Sequence, residues 1–138
     1  MTIKHDNPQQ AELAFYQAFE QGDLAAMTAL WENSDDVVCV HPMGDALRGA
    51  RAVSDAWREI LSGEVKMRFA VEEIHVTRVG HIAIHIVKEH IAVPGGKPVA
   101  PMMATNIYRE GADGWHMILH HASPSPGIPL GQSAPAVH

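Results

Sequence analysis

The order of its amphipathic segments constrains this chain most. Helical periodicity fills the first part of the sequence and strand periodicity the second. Helices followed by a run of strands is the pattern of an α+β fold, with helices gathered on one side of an antiparallel sheet. Asn7-Pro8 opens a helix with a capping side chain and a proline at the first helical position, where its missing N–H costs nothing. Ala11, Ala14, Phe15, Ala18 and Phe19 then form one apolar face, and Gly22 ends the segment. Asp23 caps a second helix that buries Leu24, Met27, Leu30 and Trp31. Val37-Val38-Cys39-Val40 reads as a short strand, and Pro42-Met43-Gly44-Asp45 as a turn. Leu47-Arg48 is a brief extended piece before Gly49. Val53, Ala56, Trp57, Ile60 and Leu61 mark a third helix, stopped at Ser62-Gly63.

From Lys66 the period changes to two. Strands are expected over 66–79, 81–93, 99–109 and 115–122, with a bulge near Glu72-Glu73. Tight turns between them give an antiparallel meander with no parallel crossover. In the second strand Ile82, Ile84 and Ile86 share one face, and Ala83, Val87 and Ile91 the other. A sheet that is apolar on both faces must cover both. Helices cover one, and a second copy of the chain is expected on the other. Residues 1–123 then form one domain, and the Pro-rich stretch 124–138 a tail.

The bulk numbers exclude several partners. The net charge is −6, with 10 basic residues scattered along the chain, so no basic stripe exists for nucleic acid or an anionic membrane. Cys39 is the single cysteine, which rules out an intrachain disulfide. The first residues lack an apolar run behind a basic start, so no secretory signal is expected and a cytoplasmic location is. No metal is expected. His81 and His85 on a strand stand roughly 13 Å apart, too far for one ion, and no HExxH pattern exists.

Three groups of residues resemble the nuclear transport factor 2-like superfamily, in its SnoaL-like or ketosteroid isomerase-like branch. They are Gly22-Asp23 with Leu30-Trp31; Val40-His41-Pro42-Met43-Gly44 with Leu47-Arg48-Gly49 and Trp57; and Ala104 to Arg109 with Gly114-Trp115 and His120-His121-Ala122-Ser123. The resemblance covers about residues 8–123. It implies a cone-shaped α+β barrel, three helices on a curved, mostly antiparallel sheet, with a pocket at the mouth and often a dimer through the outer sheet face. It does not choose a chemistry, because the superfamily holds isomerases, cyclases, dehydratases, epoxide hydrolases and non-catalytic proteins. Ketosteroid isomerase pairs an aspartate base with a tyrosine and a protonated aspartate, a worked example among tuned carboxyl groups. Here Tyr16 can be the phenol, but no aspartate stands on the interior strands.

Histidine is the alternative acid–base group, since its charge changes near neutral pH. His41 closes the first strand near the expected mouth. His120 and His121 end the last strand and must point to opposite faces. His121 continues the row Trp115, Met117, Leu119, which places it inside and His120 outside. Asn106 is an uncharged donor able to hold a carbonyl. Tyr16 and Trp31 each carry a polar atom that suits a pocket wall. His90, beside Lys88 and Glu89, is a rim candidate if the Ile82–Ile86 face turns inward. The bland reading makes His41 and His121 structural groups tying down the loops at Pro42 and Ser123.

Three functions stay open. The first is a cofactor-independent isomerase, lyase or cyclase, with His41 and His121 catalytic and Tyr16, Trp31, Asn106 and His90 holding a small apolar carbonyl compound. The second is a ligand-binding or dimeric association module. The third is a dimer whose hollow has filled with side chains.

Overall fold

The computed structural model describes residues 4–63, 66–96 and 98–125. The elements follow the order α1 (Pro8–Gln21), α2 (Leu24–Leu30), β1 (Val38–Val40), β2 (Ala46–Arg48), α3 (Ala50–Leu61), β3 (Arg68–Val79), β4 (Ile82–Ala92), β5 (Met102–Gly111) and β6 (Gly114–Pro124). Local chemistry sets the boundaries. The Asn7 side chain accepts from the Gln10 N–H, and Asp23 from the Ala26 N–H. Gly22 turns the chain between α1 and α2 at φ 67°, a left-handed conformation that glycine adopts without strain.

Six strands form one sheet in the order β2-β1-β6-β5-β4-β3. All neighbours are antiparallel except β1 and β6, which run parallel with Cys39 opposite His120. The meander expected from the sequence is therefore present in β3–β6, and β1 adds a parallel pair that short-range patterning does not encode. A bulge interrupts β3 between Glu73 and His75, near the expected pair of acids. A second bulge lies in β6, where Leu119 faces Ile107 but Met117 faces Tyr108, leaving Ile118 as the extra residue. The Pro-rich tail beyond Ser125 lies outside the described residues.

The helices cover one face. α1 touches β3, β5 and β6. Three strand spacings separate the outermost two, about 14 Å, so a helix of roughly 10 Å diameter reaches both only if the sheet curls around it. The core between them is aromatic. Phe15, Phe19 and Trp57 meet edge to face, with centroids 4.9 to 6.2 Å apart. Trp57 is 1% exposed. Trp57→Ala is expected to cost about 3–5 kcal/mol, the range for emptying a large core site, read from the urea midpoint at constant m-value. An unchanged midpoint would show that the ring is not part of the core.

Candidate functional site: a buried carboxyl–phenol–amide–imidazole relay

Side chains at positions 83, 85, 87 and 89 of β4 are buried, and those at 82, 84, 86, 88 and 90 are only half-buried. The inward face of β4 is thus Ala83, His85, Val87 and Glu89, and the isoleucine row points outward. On β5 the inward residues are Ala104, Asn106 and Tyr108. On β6 the row begins with Trp115 and Met117. The bulge at Ile118 then shifts the alternation by one residue, so His120 and Ala122 follow. This corrects the sequence expectation. His120 is inside, 2% exposed, and His121 is outside. An unbroken period of two gave the wrong imidazole because a bulge reverses every side chain after it.

These inward residues join α1 in one chain of hydrogen bonds. Tyr16 Oη donates to Glu89 Oε2 at 2.6 Å. Asn106 Nδ2 donates to Tyr16 Oη at 3.0 Å. Asn106 Oδ1 accepts from His120 Nδ1 at 2.6 Å. Each link fixes the next. With its phenol proton committed to Glu89, Tyr16 can accept only from the amide nitrogen, so the carbonyl of Asn106 is left for His120. His120 therefore carries its proton on Nδ1. Register supports this, since His85, Asn106, His120 and Cys39 lie opposite one another across four strands.

Burial sets the charges. Glu89 is 3% exposed, and loss of water pushes its carboxyl up to about 7, aided by the nearby Glu12 charge and opposed by the Tyr16 hydrogen bond. Burial first, and the Glu89 charge second, hold the Tyr16 phenol well above its ordinary value. Burial, with His41 and His121 nearby, pushes His120 down to about 3, so its imidazole is neutral. A second cluster lies beside the relay. Glu12, one turn before Tyr16, accepts from His85 Nδ1 at 2.7 Å and from Tyr108 Oη at 3.2 Å. His85 Nε2 is buried without a hydrogen-bond partner among the described residues.

The other candidates lie apart. His41 packs edge-on against Trp57 at 4.9 Å and stands 6.5 Å from the His120 ring; its Nε2 is 3.5 Å from Cys39 Sγ. It flanks the relay without joining it, and burial lowers its pKa. The Cys39 thiol is pushed up to about 12 by burial, so it is no nucleophile at neutral pH. His90 stands on the outward face with the isoleucine row, which corrects the expectation that this face turns inward; its Nε2 lies 2.9 Å from Glu72, and it borders the cavity of about 380 Å³ that Phe69 also lines. Trp31 lines a separate cleft beside α2. Tyr16 and Asn106 are the two candidates that the structure bonds to each other.

Sequence reading passed over Glu12, placed His120 outside, and named Glu89 only as a neighbour of His90. One signal was available for Glu89. Ala83, Val87 and Ile91 were recognised as one face, and position 89 falls between the last two on that face.

The inner hollow is largely filled by Phe15, Phe19, Trp57 and Phe69. Phe69 lies tilted against Tyr16, with centroids 5.4 Å apart, and also borders a cavity of about 380 Å³ with His90, Ile91, Val93 and Val99. Among the described residues no group of three His, Cys, Asp or Glu could hold a metal ion, and no helix is long and apolar enough to cross a membrane.

Comparison with known proteins places this architecture. A provisionally assigned calcium/calmodulin-dependent protein kinase type II association domain of Thiobacillus denitrificans is 40% identical, with TM-score 0.85 over 89% of this chain and 98% of that one. A provisionally assigned dehydratase of the NTF2-like family from Streptomyces avermitilis is 33% identical, with TM-score 0.77 over 85% and 92% of the two chains. A ketosteroid isomerase-like protein of Erwinia carotovora atroseptica shares the fold at 21% identity and TM-score 0.66, over 86% and 94%. The F-box protein SKIP8 of Arabidopsis thaliana is 30% identical over 109 residues, which is 79% of this chain and 46% of that protein. The chain thus spans less than half the length of this curated relative. The SnoaL-like domain model matches residues 9–127. With its three helices on a six-stranded, mostly antiparallel sheet, the chain belongs to the SnoaL-like domain family of the NTF2-like superfamily.

Proposed function

We propose that this protein is a cofactor-independent acid–base enzyme of isomerase or dehydratase type acting on a small apolar carbonyl compound. The observation that carries the reading is Glu89, a buried carboxyl held near pH 7 and hydrogen-bonded to Tyr16 at 2.6 Å. A carboxyl at that value both takes and gives a proton at neutral pH, which is the condition for general acid–base catalysis. In the ionised form Glu89 removes a proton from the carbon beside the carbonyl. As Glu89 takes that proton its hold on the Tyr16 hydroxyl weakens, and the phenol O–H and the second N–H of Asn106 turn to the charge that develops on oxygen. Returning the proton to another carbon completes an isomerisation; giving it to a departing hydroxyl releases water. Phe69, lying between Tyr16 and the 380 Å³ cavity, is the side chain whose movement admits a guest. His41 and His120 then serve as positioning groups.

The test is mass spectrometry of whatever copurifies, followed by proton–deuterium exchange at the carbon beside its carbonyl. The native protein should catalyse exchange, and Glu89→Gln should not. Exchange at equal rates in both would remove Glu89 from the mechanism.

A second reading is a non-catalytic association module. The aromatic filling of the hollow favours it, as does the likeness to an association domain at 40% identity. Both readings include a dimer through the outer sheet face. A row of apolar residues crosses that face, with Val38 opposite Leu119, Leu119 opposite Ile107, and Ile107 opposite Ile84. In the next row His121 lies between Val40 and Thr105, so the outward histidine belongs to this proposed interface. Ile84→Glu places a charge in the middle of the row and is expected to give monomers by analytical ultracentrifugation at micromolar concentration. A native protein that sediments as a monomer would count against the dimer.

A further inference from the structure

We propose that Glu12 and Glu89 work as one carboxyl pair, Glu12 holding the charge and Glu89 the proton, and that Glu12 is thereby a positioning residue of the proposed reaction. The positioning role rests on that reaction, whereas the pairing does not depend on it. The pair is built as two rungs. Glu12 and Tyr16 stand one turn apart on α1 and face the sheet together. In one rung Glu12 Oε2 accepts from His85 Nδ1 on β4 at 2.7 Å and from Tyr108 Oη on β5 at 3.2 Å. In the other, Tyr16 donates to Glu89 on β4 and accepts from Asn106 on β5. Each rung joins a carboxyl to a phenol across the same three elements. The acid comes from the helix in one and from the strand in the other.

The rungs differ in what they offer a negative charge. Glu12 takes two donors on one oxygen, and its side chain keeps 18% of its surface in water. Glu89 takes one donor from Tyr16 and is 3% exposed. His85 brings no compensating charge, because a second proton on its buried Nε2 would find no acceptor among the described residues. One charge therefore settles on Glu12. A second, on Glu89, must form beside it without water or a cation. The Glu12 charge accordingly adds to burial in keeping the proton on Glu89.

The other charged groups around Glu89 are placed differently. On β3, Val71 stands opposite Glu89, and Glu73, opposite Val87, is exposed and screened by water. Arg78, farther along β3, lies over the Trp115 ring. Glu20, one turn after Tyr16 on α1, accepts from the Phe69 N–H. His120 of β6 is neutral, and Lys88 and His90 belong to the outward row of β4.

The test is the titration of Glu89 itself, followed by its carbon-13 carboxyl signal and assigned by the loss of that signal in Glu89→Gln. Glu12→Gln removes the charge but keeps an oxygen able to accept from both His85 and Tyr108, so the rung stays in place. The Glu89 midpoint should fall by about one pH unit in that variant, the effect of a unit charge roughly 10 Å away at an effective dielectric of about 20. Tyr108→Phe disturbs the same rung, keeps the charge, and should leave the midpoint where it is. An unmoved midpoint in Glu12→Gln would overturn the pairing, as would an equal fall in Tyr108→Phe. The pH profile of the proton–deuterium exchange should move with the midpoint, and a profile that stays put would remove the positioning role. Absence of exchange in the native protein would sink the proposed reaction, while the titration still decides the pairing.

Discussion

Glu89→Gln is expected to leave the protein more stable than the native form above pH 7, by on the order of 3 kcal/mol. The folded state holds Glu89 near 7 against an ordinary value of 4.5. Between those values the folded protein keeps a proton that the unfolded chain has lost. Stability from this group is complete below 4.5 and declines as pH rises through 7. Glutamine has the shape of the protonated acid, can still accept from Tyr16, and never ionises. The difference between variant and native protein should therefore grow from pH 4.5 to 8 in urea titrations. Parallel curves would show that Glu89 is not held protonated. If Glu89 moves the proton in the reaction, the same change lowers kcat by about 10²–10⁴. A variant that gains stability and loses turnover together is the signature of a strained catalytic group.

His120→Leu should act at the opposite end of the pH scale. His120 stays neutral in the fold down to about 3, against 6.5 ordinarily. Here the unfolded chain binds the extra proton, so stability is lost as pH falls from 6.5 through 3, by on the order of 5 kcal/mol. Between 4.5 and 6.5 the two groups oppose each other and their slopes cancel. The native protein should be flat across that window as far as these two are concerned. Removing His120 uncovers the Glu89 decline there, and removing Glu89 uncovers the His120 rise. The leucine variant also loses about 1–3 kcal/mol at neutral pH, because Asn106 Oδ1 is left buried without a donor. His120→Gln, which can still donate, should recover most of that loss. Native-like acid sensitivity in His120→Leu would assign the proton uptake to other groups.

Much of the fold was legible because its signals are local. Asn7, Gly22 and Asp23 act within a few residues of themselves, and the strand periods of β3 to β6 survive inspection one segment at a time. The parallel pairing of β1 with β6 was not legible, since its partners lie about eighty residues apart. The site was half legible. Tyr16 and Asn106 stood out as polar groups on otherwise buried faces. Glu89 was obscured because a charged residue near a strand end is more often solvated than buried. His120 was hidden by one extra residue in β6. Facing could not be extrapolated past Ile118, and neither sequence period nor composition announces a bulge of that kind. The isoleucine row misled in a different way. The larger apolar side chains of β4 point away from the helices, so size alone did not identify the inner face.

The position of β1 also governs how this chain can be made. Its two neighbours in the sheet are β2 and β6, and β6 is the last of the described strands to be synthesised. Until β6 is free of the ribosome, β1 and β2 have no strand to join, and α1 lacks part of the face on which it settles. The parallel pair must wait until β6 has been made, and ring closure over so long a span slows it further. A chain cut short anywhere before Trp115 would leave α1 and Trp57 without their last wall, in the state most open to proteases and chaperones.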